Sequence, residues 1–230
     1  MKRLSTRDLS VAIVGAGMSG IAAAIKLREQ GYSDIVIYEK AGRLGGTWRE
    51  NTYPGLSCDV PSHLYSYAFE PNPQWSHLFS PGAEIQAYFE GVAKKYDVER
   101  LMRFNTAITR AEFLDGRWRL TTSSGEQANA DIVIAATGVL HHPAYPDIEG
   151  IDDFNGACFH TARWDHDVTL EDQRVGIIGT GSTAMQIVPA IVDQVASLSL
   201  FQRTAQWVVA MSNEPYSVEA IEGFKRSPEK

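Results

Sequence analysis

Apolar residues in this chain fall into two kinds of run. Short β-branched stretches alternate with longer ones whose apolar positions recur every three to four residues, the periods of strand and helix. One such succession occurs twice. Shifted by 164 positions, VAIVGAGMSGIAAAIKLREQ (11–30) lies on VGIIGTGSTAMQIVPAIVDQ (175–194). Each copy reads as a strand, a glycine-rich turn and an amphipathic helix, the opening of a βαβ unit. In the first half the same patterning predicts a second strand at IVIY (35–38) and a helix over 83–98 after the breaker Pro81-Gly82. Alternating segments between 102 and 123 predict a small antiparallel element, and DIVIAATG (131–138) reads as a buried strand. In the second half the pattern predicts a strand at 174–179, a helix over about 182–195 and a strand at 198–203. The Pro-rich stretch HHPAYPDIEG (141–150) between the halves marks a boundary.

Composition narrows the class of protein. A chain of 230 residues can bury a substantial core, and 44% hydrophobic with 21% charged residues is ordinary for a soluble globular protein. A net charge of −7 supplies no basic stripe for neutralising phosphates, which excludes a nucleic-acid partner. Two cysteines, Cys58 and Cys158, are too few for a disulfide framework or a zinc site and fit a reducing cytoplasm. Met1, Lys2 and Arg3 ahead of the apolar run Val11–Ile25 resemble a signal peptide. Gly15, Gly17 and Gly20 interrupt that run, charged residues follow it, and it is too short to span a bilayer. The expectation is a cytoplasmic protein with no membrane partner.

The two glycine-rich turns carry the first chemistry. They read Gly15-Ala16-Gly17-Met18-Ser19-Gly20 and Gly179-Thr180-Gly181-Ser182-Thr183-Ala184. In such a turn the first glycine permits the bend and the second lets backbone approach a pyrophosphate. The third position is small so that helix and strand pack closely, and Ala184 still satisfies it. The helix N-terminus then offers free N–H groups to the phosphates. Glu39 stands nineteen residues beyond Gly20, and Arg203 stands nineteen beyond Ala184. A carboxylate at that offset suits a ribose 2′-hydroxyl, whereas a guanidinium beside the Thr204 hydroxyl suits a 2′-phosphate. The plainer alternative is that both are solvated strand ends. Two nucleotide sites so distinguished point to a flavin dinucleotide, FAD, reduced by NADPH.

The residues between these sites are more specific. The segment GGTWRENTYPGLSCD (45–59) resembles the flavin-loop signature of type I Baeyer–Villiger monooxygenases, which are class B flavoprotein monooxygenases. FNGACFHTARWD (154–165) resembles the fingerprint of the same family through Phe154, Gly156, His160, Trp164 and Asp165. Trp164 favours this family over the related flavin-containing monooxygenases. The likeness covers essentially the whole chain. Ala136-Thr137-Gly138 also resembles a flavoprotein motif. Physically, Gly45 and Gly46 let backbone pass close to a flat cofactor, Trp48 offers an apolar wall, and Pro54-Gly55 makes a turn that can aim Asp59. Asp59 serves equally as a turn-capping residue, and Trp164 or His160 alone fits a packed core.

The resemblance implies an α/β fold with two Rossmann-like dinucleotide-binding domains, FAD then NADP, and a small antiparallel β element in the first. The expected division is an FAD-binding domain at 1–144, a connection carrying the signature at 145–172, and at 173–230 the first βαβ unit of an incomplete NADP-binding domain. It places Gly15, Gly17, Gly20, Glu39, Gly46, Thr47, Trp48, Asp59, Tyr65, Ile108, Thr137 and Gly138 at FAD. It places Ser57, Cys58, Gly179, Thr180, Gly181, Ser182, Thr183, Ala184, Arg203 and Thr204 at NADP. Asp59 is the expected active-site carboxylate, and His160 with Trp164 couples domain movement rather than bond chemistry. The implied activity inserts one oxygen atom of O2 into a ketone through a flavin C4a-peroxide, giving an ester or lactone; a thioether is a second substrate class. The alternatives are an N- or S-oxygenating flavin monooxygenase and a non-catalytic nucleotide-binding fragment. An active-site arginine is expected beyond residue 230, so the isolated chain is expected to be inactive. His141-His142 reads as solvated loop, and no residue cluster suggests a metal.

Overall fold

A computed structural model describes residues 8–226. Met1, Lys2, Arg3 and the terminal SPEK lie outside the described residues. Within them the chain divides into two compact units. One comprises the chain up to Arg49 with Gln86–His141, and the other Glu50–Ile85 with the chain from His142 onward. This partition does not follow the linear division at 144, because residues 50–85 group with the later part of the chain.

The first unit is built on a parallel sheet of order β3-β2-β1-β7. Its strands are β1 (Val11–Val14), β2 (Ile35–Tyr38), β3 (Met102–Arg103) and β7 (Ile132–Ala135). Val11 lies opposite both Ile35 and Ile132, so β1 is a central strand flanked on each side. That explains its unbroken apolar sequence, since parallel strands are covered on both faces. Helix α1 (Met18–Glu29) buries Ile21, Ala24 and Ile25. Helix α3 (Gly82–Lys95) carries Phe89, Val92 and Ala93, which are also buried. An antiparallel sheet of order β4-β5-β6 follows, with β4 (Ile108–Leu114), β5 (Arg117–Thr122) and β6 (Gln127–Ala130). Ala12, Tyr38, Leu120 and Ala130 form a buried cluster joining the two sheets.

Three sequence expectations are corrected here. Met102–Arg103 belongs to the parallel sheet, because Met102 pairs with Ile37, and the antiparallel element instead extends to Ala130. Strand β7 is half-exposed rather than buried, because it is an edge strand of its sheet. Helix α3 ends at Lys95, after which Asp97 turns at φ +54°.

The second unit holds a two-stranded parallel sheet of β8 (Arg174–Ile178) and β9 (Ser197–Phe201), joined by α4 (Ser182–Ile191). Both strands and the helix are shorter than the sequence pattern suggests. Val192 donates the last helical bond to Val188, and Gln194 then turns back onto Ile191. Helix α4 covers one face of the sheet with Ala184, Ile187 and Ile191, against which Tyr53, Leu56, Trp164, Val175 and Leu198 pack. Ile178 is 59% exposed and Phe201 is 57% exposed. Elsewhere in this unit Trp75 is fully buried and donates its indole N–H to Ser66. Helix α5 (Val218–Arg226) sets Phe224 against His63. Among the described residues no helix is long and apolar enough to cross a membrane.

Candidate dinucleotide sites

In the first turn Gly15 adopts φ +108° and donates its N–H to Tyr38 O at 2.8 Å. A side chain at Gly15 would meet Ala136 O at 2.4 Å, and one at Gly20 would meet Gly15 O at 1.9 Å. Sequence thus dictates a turn that closes against the β7 exit, where Thr137 and Gly138 are exposed. Gly17 caps α1 without a side-chain acceptor, and no acidic residue stands in the first helical turn. The positive helix end is therefore left for an outside anion. The Gly45-Gly46 loop runs beside it. Gly45 N–H donates to Ala16 O, and a side chain at Gly46 would lie 3.0 Å from Gly17 Cα. Thr47 and Trp48 begin the one-turn helix α2 (Thr47–Glu50).

Glu39 is not a solvated strand end. It is only 4% exposed. One carboxylate oxygen accepts from Ala16 N at 2.8 Å, and the other from Ala41 N and from Arg49 Nη1, both at 3.0 Å. Arg49 also donates to Arg43 O, which closes the loop 43–49 over the carboxylate. Gln86, buried on α3, donates to Leu44 O and Glu90 and lies flat against Gly45. Ile108 begins β4 beside the joining cluster. Glycine backbone and a helix end capped by no side chain fit a dinucleotide pyrophosphate, and the carboxylate held at the tip of β2 fits a ribose hydroxyl.

The second turn repeats the first almost bond for bond. Gly179 has φ +108° and donates to Phe201 O at 2.9 Å. Gly181 caps α4 with no side-chain bond, and no acidic residue follows in the first turn. Ser182 and Thr183 occupy that first turn, and Ala184 is buried. Arg203 and Thr204 lie just past β9 and are exposed.

The turn Tyr53-Pro54-Gly55 lies on α4. Tyr53 Oη donates to Gln186 Oε1 at 2.9 Å, and Gln186 Nε2 donates to Ser57 O at 3.0 Å. Burial raises the Tyr53 phenol pKa, with a bond to Thr183 opposing and the Asp59 charge reinforcing the rise. Burial likewise pushes the Cys58 thiol up, which keeps it protonated and unreactive at neutral pH. Asp59 follows, exposed, and Tyr65 is half-buried with its N–H on Pro61 O. His160 caps a single turn by accepting from Ala162 N at its Nδ1, and its own N–H meets Tyr145 Oη. Trp164 packs against the Tyr53 cluster and edge-on to Phe159. Arg163 pairs with Glu50 at 2.7 Å, and Thr52 with His166 at 2.8 Å. Arg49, Gln86 and Gln186 escaped sequence reasoning. A glutamine set among apolar helix positions was the available signal for the latter two.

Two glycine-capped βαβ turns with unlike residues at the strand ends define a two-dinucleotide oxidoreductase fold. The chain belongs to the pyridine nucleotide-disulphide oxidoreductase family, whose model matches residues 12–223. Its two cysteines are both free, one buried and one exposed. An uncharacterized monooxygenase of Mycobacterium tuberculosis is 53% identical over 93% of this chain and 43% of its own length. A Baeyer-Villiger monooxygenase of Streptomyces coelicolor is 48% identical over 94% of this chain and 41% of its own. Cyclohexanone monooxygenase from Rhodococcus sp. Phi1, solved with NADP+, superposes with TM-score 0.88 at 36% identity, covering 96% of this chain and 43% of that one. OTEMO, solved with FAD and NADP, gives 0.87 at 34% identity over 96% and 44%. The chain therefore spans less than half the length of the relatives it matches.

Proposed function

We propose that this chain supplies the FAD site and the opening of the NADP site of a Baeyer–Villiger-type monooxygenase, which uses NADPH and O2 to convert ketones to esters or lactones. The observation that supports this best is the pair of matching turns ending in Glu39 and Arg203. Bound FAD would supply hydride acceptance and oxygen activation, the chemistry that no side chain here can perform. The chain's residues bind and orient. The Gly15–Gly20 turn and the α1 N-terminus hold the flavin dinucleotide's pyrophosphate, and Glu39 faces its adenosine ribose. Gly46, Thr47, Trp48, Tyr65, Ile108, Thr137 and Gly138 complete that site. The Gly179–Ala184 turn holds the second pyrophosphate, with Ser57 and Cys58 alongside. Arg203 and Thr204 select NADPH by its 2′-phosphate. Asp59 is the carboxylate at the reacting end, and His160 and Trp164 fix the connection. On this reading residues 1–144 serve FAD, 145–172 connect, and 173–230 serve NADP.

Nucleotide binding tests this. The purified chain is expected to retain FAD, seen by its visible absorbance, and to bind NADP+ about tenfold or more tighter than NAD+ by calorimetry, since a charge-assisted phosphate contact contributes about 1.5–3 kcal/mol. A colourless chain, or equal affinity for the two coenzymes, removes the reading. Grafting the chain onto the remaining length of the Streptomyces coelicolor relative then separates the chemistries. Lactone from a cyclic ketone supports the ketone assignment; N-oxide alone from an amine replaces it.

A further inference from the structure

The Gln186 side chain treats Ser57 as a neighbouring strand would. Its Oε1 accepts the Ser57 N–H at 3.3 Å and its Nε2 donates to the Ser57 carbonyl at 3.0 Å. Because Ser57 presents one donor and one acceptor, the amide has a single satisfactory orientation. The same Oε1 also accepts from Tyr53 Oη at 2.9 Å. Between these anchors Gly55 lies flat on the helix. A side chain there would meet Gln186 O at 2.3 Å and Ala190 Cβ at 3.0 Å, and its φ of +78° suits glycine. Underneath, the Tyr53 ring is buried with Ile187 and Ile191. Residues 53–57 are thus held from above, from below and end-on by α4, while Leu56 O also accepts from Gly82 N–H and Ser57 bridges Pro81.

We infer that Gln186 is a positioning residue for the nicotinamide nucleotide: its amide clamps residues 53–57 to the helix of the second turn, so that Ser57 and Cys58 form a fixed wall of that site. The inference rests on the assignment of the second turn to NADP. Its consequence is asymmetric. Loosening the clamp is expected to alter the NADP site and to leave the Gly15–Gly20 cradle as it was, because the clamp's hydrogen bonds run between residues 53–57 and α4.

The test uses the full chain and three variants, Gln186→Leu, Gln186→Glu and Tyr53→Phe. Calorimetry with NADP+ is expected to show about a tenfold weaker Kd for Gln186→Leu, the loss of one to two net hydrogen bonds. Gln186→Glu keeps an acceptor for Ser57 N–H and Tyr53 but loses the donor, and is expected to recover part of that loss. Tyr53→Phe keeps the Ser57 pairing and is expected to weaken binding only about threefold. Bound FAD per chain is expected to change less than twofold in all three. Hydrogen exchange of the unliganded variants reads the clamp without any cofactor, and Gln186→Leu is expected to accelerate the Ser57 amide at least tenfold. Unchanged Ser57 exchange in Gln186→Leu, or NADP+ and FAD lost together, overturns the inference while leaving the functional reading intact. Failure of the unaltered chain to bind NADP+ overturns both.

Discussion

The two glycine-rich turns are the same backbone object placed in different surroundings. Gly15 and Gly179 share φ +108°, and each donates to the last residue of the following strand, Tyr38 and Phe201. Gly17 and Gly181 cap their helices with ψ of −171° and −180°. Yet a side chain at Gly15 would strike Ala136 O, whereas one at Gly179 would meet nothing within 4 Å. Strand β1 is buried along most of its length, while β8 alternates between exposed and half-exposed. The turn sequence therefore specifies the local dihedrals. Enclosure depends on how many strands flank the turn: among the described residues β1 has a neighbour on each side, and β8 pairs only with β9.

The strand-end residues should give the largest contrast. The side chains of Glu39 and Arg49 are 5% and 9% exposed, and the carboxylate also holds two backbone N–H groups. Glu39→Ala removes the carboxylate that accepts from Ala16 N, Ala41 N and the Arg49 guanidinium, which is expected to cost about 3–5 kcal/mol in the first unit. Arg203→Ala, at an exposed site, is expected to stay within about 0.5 kcal/mol of the unaltered stability while losing the preference for NADP+. Denaturant unfolding followed by hydrogen exchange in each unit separates the two. Comparable losses would mean that Arg203 is a structural residue too.

The turns themselves come next. Gly15→Ala adds positive-φ strain and a clash with fixed backbone, and is expected to destabilise its unit by about 4 kcal/mol. Gly179→Ala adds the strain alone, about 1–2 kcal/mol. Thermal melts monitored by exchange in each unit read the difference, and equal penalties would show that enclosure contributes nothing.

The smallest effect concerns acid. Ser10 N–H and hydroxyl, with Arg117 nearby, hold the Asp131 carboxyl below its ordinary pKa. A depressed folded pKa means the stabilisation is fully present above the ordinary carboxylate value and is lost as pH falls through the lower, folded one. The position equivalent to Ser10 in the second copy is Arg174, which is exposed. Acid titration of unfolding should therefore weaken the first unit by under about 1 kcal/mol through this contact. Asp131→Asn should remove that part of the slope. An unchanged slope in Asp131→Asn would assign the acid sensitivity elsewhere.

Both turns, both following helices and the two strand-end residues were legible because each is written in local sequence. The fate of Met102–Arg103 was not, since two residues carry no period and pairing with Ile37 decided them. Strand β7 looked buried because IVIA has the composition of a central strand, and only its edge position exposes it. Gln86 and Gln186 looked like ordinary polar helix positions. Their work depends on which loop backbone happens to lie within reach of an amide.

Sequence alone determined the two βαβ turns and the chemical difference between Glu39 and Arg203, because glycine placement and side-chain charge act over a few bonds. Tertiary structure decided the rest. It buried Glu39 against Arg49, grouped residues 50–85 with the later half of the chain, and set Gln186 on Ser57. Those outcomes turn on hydrogen-bond partners from ten to 129 residues apart, and no local pattern encodes which side chain or peptide group will be close enough to pair.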